Sequence, residues 1–394
     1  MKTAYPVNIA IACGGTGGHL FPGLAVAEQL RERECAVTLI ISNKEVDQQA
    51  ARSISGMEII TLPAVGLSRG AILSFMRGFV KSYHKTKEIF RSNPPAAVLA
   101  MGGFTSAPPV LAGRRLGARV FLHESNSVPG RANRWLSRVV NRAFIGFESA
   151  AARLRRCRIT ITGTPVRPEF HPRARAACRS ALGLDPTRPM LLVMGGSQGA
   201  GGINELVLES LPLFAREVPD WQWFHITGKS QAEKMRQAYA QHGLKAIVHP
   251  FYTDMATAMG AAEAAITRAG ASSLAELAAM RLPAVLIPYP TATDNHQFHN
   301  AHAFALSGAA RLLEQKSATP EALLRGLRDF MDETVVRERT QTALAQWHTP
   351  DAAGRIAETI LAELKPTARS KSARPMPDLE DTGYEPAFQS RSIL

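Results

Sequence analysis

The chain has 394 residues, 45% of them hydrophobic, which is long for one ordinary domain and comfortable for two with their own cores. A formal net charge of +13 implies anionic partners, yet no zinc-finger spacing or aromatic RNA-binding run accompanies it, so nucleic acid is not expected among them. Cys13, Cys35, Cys157 and Cys178 form no C-x-x-C pair and read as reduced thiols of a cytosolic protein, and no run of about eighteen apolar residues offers a membrane span.

Along the chain, Val7–Ala12 is expected as a buried first strand rather than a signal peptide. It leads into Gly14-Gly15-Thr16-Gly17-Gly18-His19 and then helical periodicity over Leu20–Glu32. Strands are expected at Val37–Ile41 and Glu58–Leu62, a long helix at Ala71–Arg91, a strand at Ala96–Met101, a helix at Ser106–Leu116 and a strand at Arg119–His123. Continuous apolar strands between helices mean a parallel sheet covered on both faces. The stretch from Thr164 to Pro172 holds prolines at 165, 168 and 172, resists both helix and ladder, and reads as a linker. A second series follows: Met190–Met194, Gly202–Arg216, Trp221–Thr227, Ala246–His249, Glu263–Thr267, Ser272–Met280 and Ala284–Pro288, with a last helix at Ala352–Leu364. The expected fold is α/β, two doubly wound Rossmann-like domains facing across a cleft. The first covers residues 1–163 and the second 164–345. A C-terminal helix follows in 346–365, and a polar tail over 366–394 is expected to be disordered.

Open parallel sheets bind ligands beyond the carboxyl ends of their strands, and glycine turns stand there. Gly14–His19 opens a helix, so its backbone and the helix N-terminus suit a phosphate or an anionic acceptor. It lacks the third glycine and the strand-end acid of a dinucleotide fingerprint, Asp47 lying beyond the second strand. Gly195-Gly196-Ser197-Gln198-Gly199-Ala200 repeats the arrangement in the second half and suits a diphosphate. Gly102-Gly103-Phe104-Thr105-Ser106 and Arg268-Ala269-Gly270-Ala271-Ser272-Ser273 complete the set, with Glu276 either gripping ribose hydroxyls or capping a first helical turn. His19 is the candidate general base and Glu124 the second candidate, although His123-Glu124 also reads as a hydrogen-bonded structural unit. No D-x-D, H-E-x-x-H or thiol cluster suggests a metal, so no metal or other cofactor is expected, and Arg167 is the cation best placed to steady a leaving diphosphate.

Leu67–Arg91 interleaves Ile72, Leu73, Phe75, Met76, Phe79 and Val80 with six basic residues and one acid. It reads either as an apolar, basic tip resting on anionic headgroups or as an ordinary helix with a core stripe, and Trp135–Arg142 shares that ambiguity.

From about Asn8 to Leu364 the chain resembles the MurG family of GT-B glycosyltransferases. The resemblance rests on Gly14–His19 followed by Leu20-Phe21-Pro22-Gly23-Leu24-Ala25, on Gly102-Gly103-Phe104, on His123-Glu124-Ser125-Asn126, on Gly195–Gly199, and on Asp294-Asn295-His296-Gln297 leading to Asn300-Ala301. It implies inverting, metal-independent transfer of N-acetylglucosamine from UDP-N-acetylglucosamine to undecaprenyl-linked lipid I, giving lipid II, at the cytoplasmic face of the membrane by a peripheral enzyme. It implies that Thr16, Gly17 and Gly18 line the donor cleft beside His19, that Asn126 meets the N-acetylglucosamine, and that Arg167 and Ser197 meet the diphosphate. Tyr252 would meet the uracil through its backbone. Ala271, Ser272, Ser273, Leu274, Ala275 and Glu276 would form the donor loop with Glu276 on the ribose, and Gln297 would read the donor sugar. Ser125, Thr164 and Tyr252 depart from the residues usual in the family at their positions. A glycosyltransferase acting on diacylglycerol, or a non-catalytic UDP-sugar-binding scaffold, are the alternative readings.

Overall fold

The computed structural model describes residues 7–15, 17–44, 47–48, 56–63, 72–195 and 201–365. Thr16, Ser197 with the rest of 196–200, the segment 67–71 and the expected tail 366–394 lie outside the described residues.

The first sheet holds β1 (Asn8–Ala12), β2 (Ala36–Ser42), β3 (Glu58–Leu62), β4 (Ala97–Ala100), β5 (Arg119–Glu124), β6 (Arg142–Ile145) and β7 (Arg158–Ile161), in the order β3-β2-β1-β4-β5-β6-β7, every pair parallel. The helices of this half are α1 (Gly17–Glu32), α2 (Ile72–Ser92), α3 (Ala107–Arg115) and α4 (Arg131–Leu136). In β1, Ile9 and Ile11 face one apolar layer while Ala10 and Ala12 face the other. Burial on both faces is the reason this short strand carries no polar alternation.

No regular element occupies residues 162–174. The second half comprises α5 (Arg175–Ala181), β8 (Met190–Met194), α6 (Gly201–Glu217), β9 (Gln222–Ile226), α7 (Ala232–Gln241), β10 (Lys245–His249), α8 (Met255–Ala261), β11 (Ala264–Thr267), α9 (Ala271–Met280), β12 (Ala284–Leu286), α10 (His296–Leu306), β13 (Arg311–Leu312), α11 (Pro320–Met331) and α12 (Thr334–Trp347). Its sheet runs β10-β9-β8-β11-β12-β13, again all parallel. Met190, Leu192 and Met194 of β8 face one layer and Leu191 and Val193 the other.

The chain then returns. α13 (Ala352–Leu364) lies on α1, and its Ile356, Ala357 and Ile360 complete the layer holding Ile9, Leu24 and Phe144. Arg142–Glu363 (2.7 Å) and Arg33–Glu358 (2.9 Å) pin it there. The last described helix is therefore part of the first half's core.

Two expectations change. Trp135–Arg142 is not one amphipathic unit: α4 ends at Leu136 and Arg142 starts β6, leaving Trp135 half in solvent. In α2, Phe75 packs edge-on against Phe104 at 5.5 Å and Phe79 lies against the core, so neither forms an outer tip. The outward apolar row is Leu73, Met76 and Val80, spaced three and four residues apart on one helical face, with Arg77 and Lys81 exposed beside it. Among the described residues no helix is long and apolar enough to cross a membrane.

Candidate functional site

In each sheet the strand order reverses beside the half's first strand. β1 lies between β2 and β4, and β8 between β9 and β11. The crevice at the carboxyl ends of such a reversal is where open α/β sheets hold ligands. The glycine turns after β1, β4, β8 and β11 all begin there.

The turn after β1 is braced from three sides. Gly14 runs so close to β2 that a side chain would meet the Ser42 amide at 2.3 Å, and Gly15 adopts φ +121°. Asp47, buried, accepts hydrogen bonds from the Gly15 N–H (2.6 Å) and the Ser42 N–H (3.1 Å). This acid holds the turn, and the Lys44 ammonium caps the Gly15 carbonyl at 2.9 Å. Thr105 Oγ1 donates to the Gly14 carbonyl at 2.6 Å and Ser106 Oγ to Ala12 O and Gly102 O, which ties the turn after β4 to it.

His19 sits in the first turn of α1 with its ring laid on Gly102 and Gly103. A side chain at Gly102 would lie 2.8 Å from its Nε2, and both glycines have positive φ, so the ring's seat demands glycine. Desolvation lowers the imidazole pKa to about 4, against a raising influence of Asp47 and with lowering by Lys44 and His296. The ring is therefore neutral at pH 7 and able to accept a proton.

Glu124 is buried at the end of β5 and its carboxylate is fully occupied. Oε1 accepts from the Asn126 N–H (2.8 Å) and Asn126 Nδ2 (3.0 Å), and Oε2 from the Gly130 N–H (2.9 Å) and Asn133 Nδ2 (2.8 Å). Four donors leave no lone pair facing the cleft, which favours the structural unit over the second base. His123 bonds the Gly163 carbonyl at 3.1 Å and is likewise interior, its pKa lowered to about 4 by desolvation.

The second half meets the first at α1. Pro22 has no N–H, so the Gly18 carbonyl one turn earlier loses its helical partner. Ser272 Oγ, at the start of α9, donates to that carbonyl at 2.9 Å. The two glycine turns are joined by a vacancy that proline creates. α9 starts at Ala271 after Gly270 with no side-chain cap, so its N–H groups remain for a ligand. Leu274 is fully buried in the core, Ser273 and Ala275 are half-buried, and Glu276 stands in the second turn, which removes the first-turn capping reading. Desolvation raises the Glu276 carboxyl to about 7, with Arg167 lowering it and Glu169 raising it. Arg167 pairs with Glu169 at 2.9 Å, stacks over Phe21 (4.6 Å) and Phe170 (5.1 Å), and keeps a buried Nε without a partner among the described residues.

Gln297 Oε1 accepts from the Tyr289 N–H at 2.9 Å. Tyr252 is at the far end of the second sheet, its ring against Phe224 (4.9 Å) and His249 (5.2 Å). Gly17 is buried and Gly18 exposed at the head of α1. Sequence reasoning attached no role to Arg268, whose buried guanidinium donates to the Ile287 carbonyl (3.0 Å), or to Asn300; the partners of both are distant in sequence. Among the described residues no three His, Cys, Asp or Glu side chains converge as a metal site.

Family models match over well more than half of the chain: the glycosyltransferase family 28 N-terminal domain over residues 9–145 and its C-terminal domain over 190–356. Paired sheets and these domains define a glycosyltransferase. A protein of Nitratidesulfovibrio vulgaris (strain Hildenborough), called UDP-N-acetylglucosamine--N-acetylmuramyl-(pentapeptide) pyrophosphoryl-undecaprenol N-acetylglucosamine transferase, is 39% identical over 380 residues, spanning 92% of this chain and 100% of its own. One of the same name from Sorangium cellulosum is 34% identical over 377 residues, 93% and 91% of the two chains. The crystal structure of Acinetobacter baumannii MurG superposes with a TM-score of 0.70 at 29% identity, covering 91% of this chain and 100% of that one. The calicheamicin glycosyltransferase CalG4, at 16% identity and TM-score 0.64, shares the fold. The chain belongs to the MurG family within glycosyltransferase family 28.

Proposed function

We propose that the chain transfers N-acetylglucosamine from UDP-N-acetylglucosamine to the muramyl sugar of undecaprenyl-linked lipid I, forming lipid II in peptidoglycan synthesis. The observation that carries this is full-length similarity to transferases of that name, together with two facing strand-order reversals joined at Ser272 and Gly18. Residues 1–163 serve the acceptor and the membrane and residues 164–345 the donor, with the helix in 346–365 returning to the first half. The acceptor hydroxyl attacks the anomeric carbon, the bond to UDP breaks with inversion, and His19 takes the hydroxyl proton. Thr16, Gly17 and Gly18 line the donor cleft, Asn126 and Gln297 read the sugar, Arg167, Ser197 and the N-terminus of α9 receive the diphosphate, Glu276 the ribose, and the backbone at Tyr252 the uracil. Transfer of radiolabel from UDP-N-acetylglucosamine, with and without a lipid I analogue, tests it. Labelled lipid formed only with that analogue supports the reading; transfer to diacylglycerol instead, or no transfer at all, overturns it.

Glu276 gives the donor site a pH dependence of definite sign. A carboxyl with its pKa raised to about 7 is protonated on the acid side and accepts two ribose hydroxyls best when ionised. Donor KM is expected to fall as pH rises from 6 to 8, and Glu276→Ala to weaken donor binding by about 2–3 kcal/mol and flatten that dependence. An unchanged donor KM in the variant would remove Glu276 from the ribose.

With N–H groups and Arg167 receiving the leaving diphosphate, transfer is expected to proceed in full after exhaustive EDTA treatment. Complete loss restored by Mg²⁺ or Mn²⁺ would put a metal on the diphosphate.

The enzyme works at the cytoplasmic face of the membrane as a peripheral protein, meeting anionic lipid through α2; nucleic acid is not a partner. A basic residue near an anionic surface contributes about 1 kcal/mol. Replacing Leu73, Met76 and Val80 with Ser, and Arg77 and Lys81 with Gln, is expected to abolish flotation with anionic vesicles while transfer to a short water-soluble acceptor survives. Flotation equal to the parent's would make α2 an ordinary packed helix.

A further inference from the structure

Asn300, in α10, has no exposed surface and no part in the chemistry above. Its amide is saturated. Oδ1 accepts from the Ser127 N–H (2.9 Å) and the Ser127 hydroxyl (2.8 Å), and Nδ2 donates to Asn126 Oδ1 (3.1 Å) and the Ala269 carbonyl (3.2 Å). Two acceptor sites and two donors are all an asparagine side chain has. Three of the four bonds reach residues 126 and 127 in the first half; the fourth returns to the turn that starts α9 in the second. Asn126 is itself held by Glu124 at both its N–H and its Nδ2. A continuous hydrogen-bonded path therefore runs from the Glu124 carboxylate through Asn126 and Asn300 to Ala269, three residues before the Ser272 that touches Gly18.

The surrounding contacts sharpen what this amide does. On the same segment Asp294 pairs with Arg131 at 3.0 Å and with Arg134, but those charges are open to solvent and salt screens them. The buried amide is not screened, and its orientation is forced. Oδ1 must face the Ser127 donors, so Nδ2 must face two oxygens. Ordinary packing would ask only for volume at this position; here the chemistry of each end of the side chain is specified.

We propose that Asn300 is a positioning residue that registers the donor half against the acceptor half and thereby sets where the Asn126 amide meets the donor sugar. The proposal rests on the reading of the chain as an N-acetylglucosamine transferase with Asn126 on that sugar. Aspartate is the discriminating substitution. It keeps shape and the acceptor end toward Ser127, and turns an oxygen toward the oxygens of Asn126 and Ala269.

Asn300→Asp is expected to lower kcat with UDP-N-acetylglucosamine about 100-fold, the scale of a small misplacement at a reacting centre, while the Kd for UDP stays within about threefold of the parent's. Its preference for UDP-N-acetylglucosamine over UDP-glucose in kcat/KM should narrow, because the sugar-reading amide has lost its anchor. Ser127→Ala removes one of two donors to Oδ1 and should cost about threefold in kcat, the worth of one neutral hydrogen bond. Should the aspartate variant not fold, Asn300→Ser, too short to span all four partners, is read by the same criteria. A folded variant with the parent's kcat and sugar preference overturns the proposal, as does a loss of kcat matched by an equal loss of UDP affinity, which a general structural role would produce. Failure of the parent itself to transfer sugar would instead strike the underlying function, so the two failures are told apart in one assay.

Discussion

His19→Gln is expected to lower kcat about 100- to 10,000-fold with little change in donor KM, the range of a lost general base. Glutamine keeps bulk and polarity against Gly102 and Gly103 but cannot take a proton at working pH. The imidazole pKa of about 4 adds a second readout. With donor saturating, Glu276 is already held on the ribose, so the acid limb of kcat/KM for the acceptor should fall toward pH 4 rather than 6.5 in the parent. That limb should vanish in the variant. An acid limb unchanged by the substitution, or a loss under about tenfold, would assign the proton to another group. Gly102 ought to be nearly as intolerant: any side chain there drives into Nε2 from a backbone conformation that L-residues rarely adopt.

Glu124→Ala should destabilise the fold by about 3–5 kcal/mol, because it strands two backbone N–H groups and two amide donors. Glu124→Gln turns its amide nitrogen toward two of those donors while its oxygen keeps the other two, and should cost less stability. Both should lower transfer through displacement of Asn126, leaving the acid limb of kcat/KM where the parent has it. A Gln variant with the parent's thermal midpoint and turnover cut by more than about 1,000-fold would restore Glu124 as a proton-transfer group.

The two-sheet plan was legible because its signals are local: uninterrupted apolar strands, glycine turns after four of them, and helical spacing between. The Ala352–Leu364 helix was read at its observed bounds for the same reason. β6 and β7 were not anticipated; β7 lies at the sheet edge, where an exposed Ile161 and a leading Arg158 interrupt the apolar run that marks an inner strand. In α2, periodicity marks a helix but does not say which phenylalanine points inward; Phe104, some thirty residues on, decides that for Phe75. The position of Gly18 as a hydrogen-bond acceptor for the far half follows from Pro22 only once Ser272 is seen opposite. Glu124 illustrates the same limit, since a carboxylate at a strand end looks alike on paper whether its oxygens face a cleft or four donors. Asn300 acts wholly through such distant partners, and Asp47 reaches Gly15 across the sequence in the same way.

The return of α13 to α1 has a consequence for biosynthesis. Every strand of the first sheet has emerged once Ile161 is out, but the apolar surface around Leu24 and Phe144 is covered only when Ile356, Ala357 and Ile360 emerge. At ordinary elongation rates that interval is roughly 10–40 s. Through it the nascent first half carries an open greasy flank, while the second half is threaded and folded in between. A message ending before Ala352 would leave that flank bare for good, so quality control of this enzyme should act on missing tails more harshly than their thirteen helical residues would suggest.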